Sequence, residues 1–157
     1  MFLAMVMVAP TVCHAQIKCP WMNEATAGGF LGGKVTLSVT VNEHGDGACD
    51  FSRQQAAAIR HLHITVNTMS DVPKEFPTYL AQCPAKSAAL RAIGNEAVFC
   101  TVQGGSDAYS ARVVGRVRAQ AFVVDVSSTV QNDPSLTQEM RRERDNLAAE
   151  LIAGILF

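Results

Sequence analysis

Between Cys19 and Phe51 the chain spells out one folding unit, and that unit restricts everything after it. Asn23 is a good helix N-cap, and Glu24 to Leu31 follows as two turns, with Glu24 favourably placed at the positive end. Gly32-Gly33 stops the helix. Residues 34–42 then alternate: Val35, Leu37, Val39 and Val41 share one face, and Thr36, Ser38 and Thr40 share the other. That is the pattern of a half-buried strand. Glu43 to Gly47 turns the chain, and Ala48 to Arg53 returns as a second strand carrying Cys49 and Phe51. Gly28-Gly29 lowers the helix's own stability by about 1 kcal/mol per glycine, so tertiary packing must hold it.

The cysteines set the compartment. Phe2 to Val8 is an unbroken apolar run, Pro10 follows, and Cys13-His14-Ala15 fits cleavage before Gln16. Residues 1–15 therefore read as a secretory signal, although the usual positive start is missing. The run is too short for a transmembrane span, which needs about 20 apolar residues, and Pro-Thr-Val is a poor lead-in to a lipid-modified Cys13. With the signal removed, Cys19, Cys49, Cys83 and Cys100 remain. An even set in an exported domain implies disulfides. Three pairings are possible; Cys19–Cys49 with Cys83–Cys100 is favoured, because each closes its own half of the chain. No C-x-x-C spacing supports a zinc site. The expected location is secreted or periplasmic.

The rest of the chain varies the opening unit. Ile59 to Met69 is a third strand, with Leu62, Ile64 and Val66 inward and His61, His63, Thr65 and Asn67 outward. Gln54 to Ala58 is ambiguous between loop and helical turn. Asp71 to Gln82 reads as a helix, with Pro73 in its first turn and Pro77 predicting a kink or a split. Ser87 to Ile93 reads as a helical turn ended by Gly94. Strands follow at Ala97–Gln103, Tyr109–Val117 and Gln120–Thr129, separated by turns at Gly104–Asp107 and Arg118-Ala119. The last helix starts at Asp133-Pro134 or at a Ser135-x-x-Gln138 capping box. Its apolar stripe is Leu136, Met140, Leu147, Leu151 and Ile155, with Ala148 and Ile152 beside it. Arg141–Asp145 reads as an exposed i,i+4 pair.

These elements predict an α+β fold: antiparallel strands from two β-β-β-α units, packed with helices that include a long C-terminal one, and two disulfides. Residues 16–157 form a single domain with similar halves, about 19–82 and 83–157. With 48% hydrophobic and 17% charged residues the chain is globular rather than disordered. A net charge of −1 and 6% aromatics give no field or stacking surface for nucleic acid.

The order of cysteine, small helix, A-x-x-L-G-G, G-x-x-x-C-x-F, L-x-I-x-V, then I-G-N-E-A-V-x-C, F-V-V-D-V and L-A-A-E-L resembles a known group. It is similar to exported bacterial lipoproteins of unknown function and to the extracellular sensor domains of some bacterial serine/threonine kinases. The resemblance covers most of residues 19–155. It implies pairing of an early cysteine with one on the second strand, and a glycine-acid-alanine motif matched by Gly94, Glu96 and Ala97. It supplies no catalytic residues.

Three side-chain groups are candidates for chemistry. His61 and His63 share a strand face, and with His44 from the preceding turn they make a candidate zinc or copper trio. Arg112, Arg116 and Arg118 share parity and suit a carboxylate or phosphate. Trp21, beside Cys19, is a candidate pocket wall or a cover for the disulfide. Gly105-Ser106-Asp107 is not G-x-S-x-G, and there is no P-loop, dinucleotide fingerprint or H-E-x-x-H. The expectation is a non-enzymatic binding or sensor-like module without a cofactor, holding a small ligand in a groove between the halves or meeting an envelope protein. The alternatives are a structural envelope protein and a metal carrier.

Overall fold

The computed structural model describes residues 18–55, 58–84, 87–103, 109–130 and 136–157. The expected signal segment, the turn at Gly104–Asp107 with Ser106, and the helix-start signals at Asp133, Pro134 and Ser135 lie outside these residues. Helix α1 (Glu24–Leu31) has the bounds its sequence predicts: the Asn23 side chain accepts from Thr26 N, and Gly32 closes the helix with φ 83°. A β-carbon on Gly28 would stand 2.6 Å from the Gly33 carbonyl oxygen, which explains a glycine inside so short a helix.

Seven strands follow: β1 (Thr36–Val41), β2 (Gly47–Gln55), β3 (Ala58–Thr68), β4 (Ala88–Leu90), β5 (Glu96–Gln103), β6 (Tyr109–Val117) and β7 (Gln120–Val130). Helix α2 (Val72–Leu80) lies between β3 and β4, and α3 (Gln138–Leu156) ends the chain. Every strand pair is antiparallel, in the order β1-β2-β3-β7-β6-β5-β4. The fold is α+β, as expected. Two disulfides join Cys19 to Cys49 and Cys83 to Cys100.

Ser87 to Ile93 corrects the helical expectation. Ala88, Ala89 and Leu90 pair with Phe99, Val98 and Ala97, and Ala92 turns away with φ 62°. A short apolar run does not distinguish the two states by itself, and here a neighbouring edge strand decides. Helix α2 continues through Pro77 rather than splitting. Helix α3 is capped by neither anticipated start; the Thr137 side chain accepts from Met140 N instead.

Strand alternation divides the sheet into two faces. Phe51, Leu62, Ile64, Val113, Phe122, Val124 and Val126 share one buried cluster with Ala27 and Leu31 of α1 and Ala148, Ala149, Ile152 and Ala153 of α3. The opposite face carries a smaller cluster, Met69, Phe76 and Ala121, beneath α2. The halves meet where β3 pairs with β7 over eleven residue pairs. The seam is hydrogen-bonded sheet, so the ligand groove expected between the halves is replaced by strand pairing. Helices α2 and α3 cover opposite faces, so similarity between the halves is confined to their strands.

Candidate functional site

The outward face of the sheet gathers most of the sequence candidates. One row crosses it as Ser38, Asp50, His63, Asp125 and Arg112, each paired with the next. The next row is Thr36, Ser52, His61, Ser127 and Ser110. The polar atoms in these rows answer one another. His63 Nδ1 is 2.6 Å from Asp50 Oδ1, and its Nε2 is 2.8 Å from Thr65 Oγ1. His61 Nδ1 is 2.9 Å from Ser52 Oγ. Arg112 donates from Nε and a terminal nitrogen to the two oxygens of Asp125, each at 2.9 Å, and to the Gln82 carbonyl at 3.1 Å. Ser110 also donates to Asp125, at 2.9 Å.

This arrangement corrects the ligand assignments. A bidentate guanidinium–carboxylate pair leaves Arg112 little capacity for an external anion. Arg116 lies 3.4 Å from Glu96 and sits over the Phe76 ring at 5.6 Å. Arg118 does not share the strand face, because it stands in the β6–β7 turn with φ 54° and its backbone N–H donates to Asn95. The histidines do not form a metal centre: among the described residues no group of three His, Cys, Asp or Glu side chains is disposed to hold an ion. His44 belongs to a turn closed by Asn42, whose side chain accepts from His44 N and Asp46 N. Ser52–His61 resembles part of a catalytic triad, but no described carboxylate bonds to His61, so the orienting third member is missing. Trp21 packs half-buried against the main core.

The second surface was not expected. The sequence places Met140, Leu147, Leu151 and Ile155 against the core, yet they are 50%, 59%, 48% and 63% exposed. They are the large exposed hydrophobic residues of the described chain, and all four belong to α3. The helix is rotated so that Ala148, Ala149, Ile152 and Ala153 meet the sheet. At about 100° per residue, Asp145, Ala149 and Ile152 lie on the side away from Leu147.

Asp145 explains the rotation. It is 1% exposed and lies 2.8 Å from Arg60, which is itself 5% exposed; Ser128 Oγ donates to its other oxygen at 2.5 Å. Arg144 reaches it at 3.3 Å. Arg60 also donates to the Phe30 carbonyl, and Arg53 donates to that of Leu31, both at 3.0 Å. Two cations thus satisfy the end of α1, where the helix dipole is negative. Burial lowers the Arg60 pKa, while the Asp145 charge opposes that shift. The Arg141–Asp145 surface pair expected from sequence is superseded, because Asp145 points inward.

Glu139, Glu143 and Glu150 form an acidic margin along one side of the apolar stripe, with Glu139 and Glu143 exposed and Glu150 half-buried. No ion pair forms to any of the three among the described residues. Sequence reasoning missed this surface because a leucine stripe normally marks the buried face. The available signal was the concentration of small residues at 148, 149 and 153, which lets a helix approach a sheet closely. No helix among the described residues is long and apolar enough to cross a membrane. Compared with protein-family models and with curated proteins, the chain matches none.

Proposed function

We propose that the protein is an exported, non-enzymatic binding module that recognises a protein partner through α3. The observation that carries this reading is the outward stripe of Met140, Leu147, Leu151 and Ile155. A contiguous apolar patch on a water-exposed helix is the mark of an interaction site. The acidic margin of Glu139, Glu143 and Glu150 selects the occupant: an amphipathic helix with basic residues flanking its apolar side. Two disulfides support a location outside the cytoplasm. A small-ligand sensor is less well supported, because the arginines and histidines on the polar sheet face already bond within the chain.

Two designed helical peptides test the reading, one built from leucine and lysine and the other from leucine and glutamate. Fluorescence anisotropy should show saturable binding of the basic peptide and none of the acidic one. The Leu147→Asp/Leu151→Asp variant should lose at least tenfold in affinity while retaining its thermal transition. Equal binding of both peptides, or binding indifferent to that variant, would remove α3 as the recognition surface.

A further inference from the structure

We infer that β1 is a homodimerisation edge, through which two copies of the chain pair antiparallel and join their sheets. The two edges of the sheet are unlike. β4 is three residues long and is followed by left-handed Ala92, so it offers little to pair with. β1 is six residues long, T-L-S-V-T-V, and pairs only with β2 among the described residues. Exposed edges are ordinarily protected by charge, proline, a bulge or brevity. The six residues of β1 contain no charge and no proline, and its register with β2 runs without a bulge from Thr36↔Ser52 to Val41↔Gly47.

The strand and its flanks fit a second copy of themselves. Its burial alternates, with Leu37, Val39 and Val41 half-buried and Thr36, Ser38 and Thr40 exposed. A two-fold axis at Val39 sets Leu37 opposite Val41 and Ser38 opposite Thr40, so each side chain stays on its own face. The charges agree. Lys34 precedes the strand and Glu43 follows it; both are exposed, and neither forms an ion pair among the described residues. The same axis brings Lys34 of one copy beside Glu43 of the other, once at each end. Such a contact uses the same patch on both copies and therefore closes, and short β4 does not extend it further. The occupant is thus a second copy of this chain, at a surface separate from the α3 stripe.

Sedimentation velocity of the oxidised full chain over a range of micromolar concentrations tests the inference. The expected result is a monomer–dimer equilibrium. Ser38→Lys/Thr40→Lys sets lysines opposite lysines at exposed positions and should shift the protein to monomer without changing its thermal transition. Lys34→Glu alone and Glu43→Lys alone should each weaken the dimer several-fold, and the double exchange should restore it. A wild-type monomer at every concentration overturns the inference, whether or not hydrogen exchange finds the β1 amides covered by residues 1–17. A dimer unmoved by S38K/T40K, or single exchanges that the double does not rescue, overturns it as well. Peptide binding at α3 reports on the other surface, so the two proposals fail separately.

Discussion

Asp145 carries much of the fold's specificity in one side chain. A buried ion pair is costly to desolvate, and removing one member leaves the other charged and unmatched. Asp145→Ala should therefore cost about 3–5 kcal/mol in urea denaturation, because Arg60 stays buried. Arg60→Met/Asp145→Leu should cost less than the single change, since it removes both charges together. Equal costs would mean that the pair does not hold α3 against β3. None of this is legible from sequence, because an i,i+4 partner for Asp145 stands at Arg141 while the true partner is 85 residues away. Tyr109 gives a second test. Its hydroxyl donates to Asn146, Arg142 lies 5.2 Å from its ring centroid, and burial raises its pKa. Because the folded state favours the neutral phenol, its contribution is complete below the unfolded pKa of about 10 and is lost as pH rises through the folded value. Tyr79 is raised as well, by burial first. Denaturation midpoints should fall on the alkaline side of pH 10, and Tyr109→Phe should reduce the fall.

Elements were legible where one period determined them. α1 and β6 have the bounds their sequences predict, because a capped helix ending in Gly-Gly and a nine-residue alternation each admit one reading. β4 failed because three apolar residues carry no period, and its state depends on β5. The face of α3 failed for a different reason. The helix carries two coherent stripes, one of leucines and one of small residues with Ile152, and hydrophobicity alone favours the wrong one. Packing against the sheet selected the small one. Stability should follow burial rather than size: Ile152→Ala should cost about 2–5 kcal/mol, whereas Leu147→Ser, an exposed change, should stay within about 0.5 kcal/mol. Denaturant titration of both variants decides this, and a Leu147→Ser cost comparable to that of Ile152→Ala would reverse the assigned face. Gly115 is equally demanding, since a β-carbon there would lie 2.4 Å from Phe122 Cζ and 2.8 Å from the Glu96 carbonyl. Gly115→Ala should lower the midpoint.

Across the whole molecule, two strand triplets meet through their last members, β3 and β7, and each is tied by its own disulfide: Cys19–Cys49 in the first and Cys83–Cys100 in the second. Cysteine count and strand alternation carried that much of the architecture. They did not reveal that the join is itself sheet, because strand partners distant in the chain leave no local pattern. Nor did they reveal that the polar side chains singled out for ligands bond to one another. Removing Cys19–Cys49, which links positions 30 residues apart, should cost about 3–4 kcal/mol if the unfolded chain gains the released entropy. With both disulfides intact, thermal unfolding should be a single transition.

The orientation of α3 decides whether this molecule has a recognition surface at all, and it can be read directly. In methyl-labelled protein with a soluble gadolinium chelate, the Leu147, Leu151 and Ile155 methyl signals should relax strongly, while those of Ile152 should be protected. Protection of the three outward residues together with relaxation of Ile152 would contradict the account, return the leucine stripe to the core and leave the protein without the surface proposed for its partner.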